Sequence, residues 1–473
     1  MGASKQGIYW AAPYAVKCRL ASWQARRLER WRYGEAYERL CREIAQRDTW
    51  TAEQFTACQR QRLAEVLRIA AARVPYYRRT FAEHGIDPAG VGGPGDLPAL
   101  PILEKSPARS DPLQLVDEAL DRRELMVAHT SGTTGTPLDL YRDVELESTM
   151  FAYLDARWHS AAGVSRRHNA SVSLGGHLVA APGRTRPPFW VHNRRWRQLY
   201  MSSYHLAPEY LGHYVAEMRR FAADYIEGYP SSLYAVARYL LDTGAEPVRF
   251  RAAFVTAETL FDYQREAIGR AFDCRVYSQY GCGEQVVFAA ECEAGSLHLS
   301  PEIGIVEVVD DDDRPLPAGQ TGKLICTSLV NRVQPFIRYR LGDLGSLAEA
   351  PCPCGSPLPV LSGLEGRIDA VLITRDGRRI GRLDPVFKAA RGIREAQIVQ
   401  DDYGKFRIRI VPAEGYTDAD GKAVAANLAQ RTGPAEVRVE TVERIERTAA
   451  GKFRAVVCHL PDEAKRRPGA GDT

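Results

Sequence analysis

From about residue 125 to 345, short apolar runs alternate with helical patterns, and that alternation confines the chain to an α/β core. The runs are Ala223–Tyr229, Ala252–Thr256, Arg275–Tyr280, Gly304–Val309 and Gly322–Thr327. Asp310–Asp313, with Pro315, Pro317 and Gly319, predicts a hairpin turn between the last two strands of this core. Upstream, Trp23, Leu28, Trp31, Tyr37, Leu40 and Ile44 recur at helical spacing with Arg and Glu between them. They predict a docked amphipathic helical layer over 15–85. Beyond about 370 the pattern becomes a small α+β unit built from Ala396–Gln400, Phe406–Val411, a helix near 418–431 and Val437–Val442. At 473 residues, 45% of them apolar, the chain can fill two or three such units.

The segment Thr130–Ser131–Gly132–Thr133–Thr134–Gly135–Thr136–Pro137 has no large apolar side chain. Its two glycines let the backbone approach a ligand closely, and its hydroxyls add donors. Such a loop suits phosphate oxygens. No Gly-Lys-Ser/Thr follows, so it is not a Walker A loop, and it is not G-x-G-x-x-G.

Further candidates lie downstream. Tyr280–Gly281–Cys282–Gly283–Glu284 ends an apolar strand. Its carboxylate can reach a metal on phosphates, and its aromatic can stack on a purine. Glu258 in Thr256–Leu260 follows a strand end and by itself reads as a helix N-terminal acid. Tyr229–Pro230–Ser231–Ser232 is either a pocket turn or a helix cap. Arg338–Asp343 places Asp343 in a loop after the last core strand, where it can accept ribose hydroxyls or cap a turn. Lys452, beside Gly451, is a mobile point charge suited to a leaving phosphate. Cys292, His298, Cys352 and Cys354 supply the ligand set of a closed structural Zn²⁺ site, or else are packed free thiols. Cys282 has no base nearby in the sequence and is not read as a nucleophile. His129 and His177 either line a substrate pocket, act as a base, or are packed, hydrogen-bonded histidines.

In this order the motifs resemble those of adenylate-forming enzymes, the group containing acyl-CoA ligases and firefly luciferase, over about residues 60–460. Leu138 stands where most members carry Lys, which resembles the phenylacetate–CoA ligase branch and its capsule-locus relatives. Val74–Pro75–Tyr76–Tyr77 and Leu97–Leu103 point to the same branch. The resemblance implies a large N-terminal adenylation domain, residues 1–369, with a largely helical layer over 1–120. A small mobile α+β lid, residues 370–473, follows.

It also implies ATP-dependent activation of a carboxylic acid, aryl or another small acid, as acyl-AMP, then transfer to an acceptor. ATP falls to Thr130, Ser131, Gly132, Thr133, Thr134, Gly135, Glu258, Tyr280, Gly281, Asp343 and Arg367. Glu284 holds Mg²⁺, Lys452 is catalytic, and Asp369 in Gly366–Asp369 is the hinge. His129, His177 and Tyr229 line the substrate pocket. Coenzyme A is the default acceptor. The competing readings are an amide or ester ligase using an amine or another nucleophile, a nitrite-activating relative, and a zinc-stabilised binding protein without catalysis.

The 63 basic and 59 acidic residues nearly balance, which gives no reason to expect a nucleic-acid partner. No apolar run of roughly 18 residues is present, so no membrane span is expected. Met1–Trp10 lacks a signal-peptide pattern, the cytoplasm is the expected compartment, and a homodimer is left open.

Overall fold

The computed structural model describes residues 8–130, 138–181, 183–367, 372–374, 379–380, 386, 392–433, 435–448 and 451–461. Helices Tyr14–Arg32, Glu35–Arg47, Ala52–Arg73 and Pro75–Glu83 form the expected N-terminal layer. Thr51 and Gln54 close a capping box on the third of these. Its buried stripe of Leu63, Val66, Leu67 and Ala70 holds it to the core. Trp23, expected on the packed face, is 55% exposed; Tyr37, Leu40 and Ile44 are buried.

The first two strands, β1 (Met126–His129) and β2 (Asp139–Arg142), form a separate antiparallel hairpin. A 12-stranded mixed sheet follows. Its strands are β3 (Ser171–Leu174), β4 (Trp190–Asn193), β5 (Gln198–Met201), β6 (Tyr225–Gly228), β7 (Ala252–Thr256), β8 (Arg275–Gly281), β9 (Phe288–Glu291), β10 (Leu297–Leu299), β11 (Gly304–Val309), β12 (Gly322–Ser328), β13 (Tyr339–Leu347) and β14 (Val360–Arg367). The spatial order is β11-β12-β13-β14-β10-β9-β8-β7-β6-β3-β5-β4. The run β8-β7-β6-β3-β5 is parallel, and its partners on either side are antiparallel.

The parallel strands are covered on both faces, which is why they read as near-continuous apolar runs. Ile226, Ala253, Val255 and Val276 share a core with helices Pro208–Phe221, Pro230–Asp242 and Asp262–Phe272. Tyr225, Ala252, Phe254 and Tyr277 pack with Tyr37, Leu40, Ile44 and Phe151 on the other face.

Two expectations are corrected here. The 310–319 turn joins β11 to β12, but these are not the last core strands, because β13 and β14 follow. Asp343 lies inside β13, paired with Arg367 on β14, rather than in a loop after the sheet.

Toward the C-terminus, β15 (Leu372–Ile373) pairs with β16 (Arg379–Ile380). Strands β17 (Ile393–Asp402), β18 (Lys405–Pro412), β19 (Glu436–Thr441) and β20 (Val456–Cys458) form a four-stranded sheet in the order β19-β18-β17-β20. Helix Asp418–Thr432 follows β18 in the chain. Ile398, Phe406, Ile408, Ile410, Val424 and Leu428 form this unit's own core.

Candidate active site

Because β8, β7 and β6 are parallel neighbours, their C-terminal ends open along one edge. Open α/β sheets bind ligands at that edge. Tyr229 follows β6, Glu258 follows β7, and Tyr280 and Gly281 end β8.

The β1–β2 hairpin stands over this edge. Thr130 N donates to Leu138 O at 3.0 Å, and Leu138 N donates to Thr130 Oγ1 at 2.9 Å. The two ends of the Ser/Thr/Gly segment are therefore tied together. Ser131, Gly132, Thr133, Thr134 and Gly135 themselves lie outside the described residues. Leu138, where a Lys was the alternative, is 2% exposed in the main core. A lysine there would bury its charge among apolar side chains.

The hairpin is joined directly to the Tyr280–Glu284 turn. Arg142 on β2 donates to Gly283 O at 2.7 Å and pairs with buried Glu147 at 2.8 Å. A Cβ on Gly283 would lie 3.0 Å from Leu140 Cδ1, so a larger residue there would have to push the leucine side chain aside. Gln334 braces the hairpin from below, accepting from Tyr141 N at 3.0 Å.

Glu284 is 8% exposed, and its Oε1 accepts a 3.2 Å hydrogen bond from the Tyr339 hydroxyl. The Tyr280 hydroxyl donates to Asp343 Oδ2 at 2.7 Å. Burial and then the Asp343 charge push the Tyr280 phenol far up its titration range, so it stays a donor. Cys282 lies between these groups. Burial, then the charge of Glu284, raises its thiol, which makes it a poor nucleophile as expected. Arg367 closes β14 opposite Asp343 in register, and Asp369 lies outside the described residues.

Lys452 arrives from the C-terminal unit. Its Nζ is 6.0 Å from the centroid of the Tyr229 ring. Thr448 N donates to Lys452 O at 2.9 Å and Gly451 N donates to Thr448 O at 2.8 Å, which closes a tight turn. Gly451 has φ +74°, and a Cβ there would meet Ser203 Oγ at 2.7 Å. Glu258 bridges the two units: Oε2 accepts from Ser231 N at 3.1 Å and Oε1 from Phe453 N at 2.5 Å.

The histidines differ. His129 projects to solvent and pairs with Asp139 across the hairpin at 2.8 Å. His177 is exposed to solvent at the rim of the sheet edge, and desolvation by the protein around it lowers its pKa to about 4. Its ring lies 4.7 Å from that of Tyr200, and its Nε2 is 3.2 Å from Ser173 Oγ. Ser173, Tyr200 and Glu227 are cross-strand partners in one row of the sheet. Arg166 and His159 both pair with Glu227 below them.

Cys292, His298, Cys352 and Cys354 come together as read, with all four ligand atoms within 4.8 Å of one another. His298 Nδ1 lies 3.0 Å from Leu358 O, which turns Nε2 toward Cys354 Sγ at 3.3 Å. A ring fixed through one nitrogen and two sulfurs 3.7 Å apart (Cys292, Cys352) fit a tetrahedral Zn²⁺ donor set.

Several contributors were not singled out by the sequence. Tyr339, inside the Arg338–Asp343 motif, holds Glu284; Arg142 holds Gly283, and Lys105 reaches the Gly342 backbone, where a Cβ would lie 2.7 Å from its Nζ. Nothing in their local sequence separates them from surface or core residues.

The CapK C-terminal domain family matches residues 372–459. Protein CapK of Staphylococcus aureus is 26% identical over 417 residues, spanning 85% of this chain and 89% of that protein. The phenylacetate-coenzyme A ligase of Thermus thermophilus is 29% identical over 352 residues, spanning 69% of this chain and 74% of the ligase. Among solved structures, 2-hydroxyisobutyryl-CoA ligase in its postadenylation state superposes with a TM-score of 0.71 at 22% identity, covering 89% of this chain and 93% of the ligase. The chain thus has homologues in CapK and phenylacetate-coenzyme A ligase and shares the fold of adenylate-forming ligases, in agreement with the resemblance carried by its motifs.

Proposed function

We propose that this chain, a homologue of CapK and of phenylacetate-coenzyme A ligases, is an AMP-forming ligase for a small carboxylic acid. The observation that carries this is the meeting of four sequence-distant segments at one sheet edge: the loop anchored at Thr130, the Glu284 turn, Asp343 on β13, and Lys452. The acid's carboxylate attacks the α-phosphorus of ATP, an acyl–phosphate bond forms, and the bond to pyrophosphate breaks. No covalent enzyme intermediate is needed, so the protein contributes position and charge.

In this reading the Thr130–Gly135 segment holds the phosphate oxygens. Glu284, oriented by Tyr339, is the carboxylate that would hold Mg²⁺. Asp343 takes the ribose hydroxyls, with Tyr280, Gly281 and Arg367 on the nucleoside side, and Glu258 stands at the same edge with its two oxygens on the Ser231 and Phe453 backbone N–H groups. Lys452 meets the leaving phosphate. His177 and Tyr229 border the acid, whereas His129 is turned outward to Asp139. Residues 1–369 act as the adenylation domain, and 370–473 as a lid pivoting at Asp369. The zinc ligands form a closed structural site. Four protein ligands leave no position for substrate.

Coenzyme A is the acceptor supported by the phenylacetate-coenzyme A ligase relatives. An amine or another nucleophile as acceptor is the second reading. Pyrophosphate exchange into ATP, run over aryl, fatty, hydroxy and amino acids, tests the first step. Exchange with at least one acid is expected, and none with any acid overturns the proposal. Acid-dependent loss of the free coenzyme A thiol then separates the two acceptors.

A further inference from the structure

Glu258 is placed in a way its motif does not announce. It follows β7 after Ala257, a non-glycine residue at φ +72°. That left-handed backbone is costly, and it turns the carboxylate out from the strand end. One oxygen accepts from Ser231 N at the start of helix Pro230–Asp242. A helix N-terminus favours a carboxylate there and fixes its direction. The other oxygen accepts from Phe453 N, 195 residues downstream, at 2.5 Å. Phe453 is the residue after Lys452. Behind it, Arg447 lies 4.7 Å from the Phe453 ring centroid and pairs with Glu395 on β17.

Resting on the adenylation reading above, we infer that Glu258 is a positioning residue, a latch that holds the Lys452 turn against the nucleotide edge for the first half-reaction. The lysine side chain has four rotatable bonds and loses much freedom when placed on a phosphate. Pinning the 452–453 peptide fixes the root of that side chain and removes part of the loss before substrate arrives. A carboxylate accepting a backbone N–H makes a charge-assisted bond, stronger than a neutral one. With both its oxygens engaged by backbone donors, Glu258 acts through Lys452 rather than on the base. It also gives the docked lid a contact that must break before the lid can rotate for transfer to the acceptor.

The test is Glu258→Gln in the full chain, with two readouts. Amide hydrogen exchange of the 447–456 segment is expected to speed up while the melting temperature holds; unchanged protection overturns the latch. In pyrophosphate exchange, kcat is expected to fall about ten- to a hundredfold, with KM for ATP within about twofold. A raised KM with unchanged kcat overturns the inference, since it marks a nucleotide contact. If Glu258→Gln does not fold, Phe453→Pro deletes the donor and leaves Glu258 in place. The same fall in kcat is expected, and an unaltered kcat refutes the latch. Wild-type protein that exchanges pyrophosphate with no acid defeats the adenylation reading, and the hydrogen-exchange arm still decides whether Glu258 holds the turn.

Discussion

The Tyr280 hydroxyl donates a 2.7 Å hydrogen bond to Asp343 Oδ2, which joins the end of β8 to the middle of β13, 63 residues apart. The bond fixes the carboxylate that the adenylation reading assigns to the ribose. Tyr280→Phe removes one charge-assisted bond, worth about 1.5–3 kcal/mol, and leaves the ring in place. The expected result is a roughly tenfold or greater rise in KM for ATP with kcat little changed. Asp343→Ala should cost more. Steady-state exchange kinetics check both, and an unchanged KM in Asp343→Ala removes Asp343 from the nucleotide site.

Lys452→Ala leaves the 448–452 turn intact, because that turn is closed by backbone groups and Thr448. Folding and melting temperature should therefore match the wild type. Pyrophosphate exchange should fall by roughly a hundred- to a thousandfold, the scale of losing a charge aimed at the transition state. Exchange at the wild-type rate would show that the lysine does not take part.

How far the sequence alone could be read depends on where the information sits. Ala252–Thr256 was legible residue for residue, because a strand buried on both faces is apolar throughout. The cluster of Cys292, His298, Cys352 and Cys354 was legible because thiols and imidazole announce themselves by type. The Glu258 contact was not, because its partner is a backbone N–H and carries no residue signature. Asp343 was misplaced in a loop because glycines at 342 and 345 made β13 look like a turn. His129 could not be assigned until the hairpin register set Asp139 opposite it.

The cysteine cluster gives a prediction independent of activity. Purified protein should carry about one zinc per chain by metal analysis, bound by Cys292, His298, Cys352 and Cys354. Cys352→Ser with Cys354→Ser should release it and lower the melting temperature by several degrees, because the β9–β10 and β14 ends lose their shared tie. Wild-type protein purified without zinc would leave the cluster as packed thiols.

Under the sheet, the Glu227 carboxylate meets Arg166 and His159 in a buried group. Burial alone would raise its pKa, but the Arg166 charge and then His159 outweigh it and lower the value from 4.5 to about 2. The folded state therefore binds its proton less readily than the unfolded chain. Stability from this group is complete above about pH 4.5 and is lost as pH falls toward 2, on the order of 3 kcal/mol in all. Arg166→Met leaves a buried carboxylate without its main partner, at a cost of about 3–5 kcal/mol near neutral pH. The variant should then lose much less than the wild type between pH 4.5 and 3. Urea midpoints at pH 6, 4.5 and 3 measure both slopes, and parallel slopes would mean that this pair is not the acid-sensitive element of the fold.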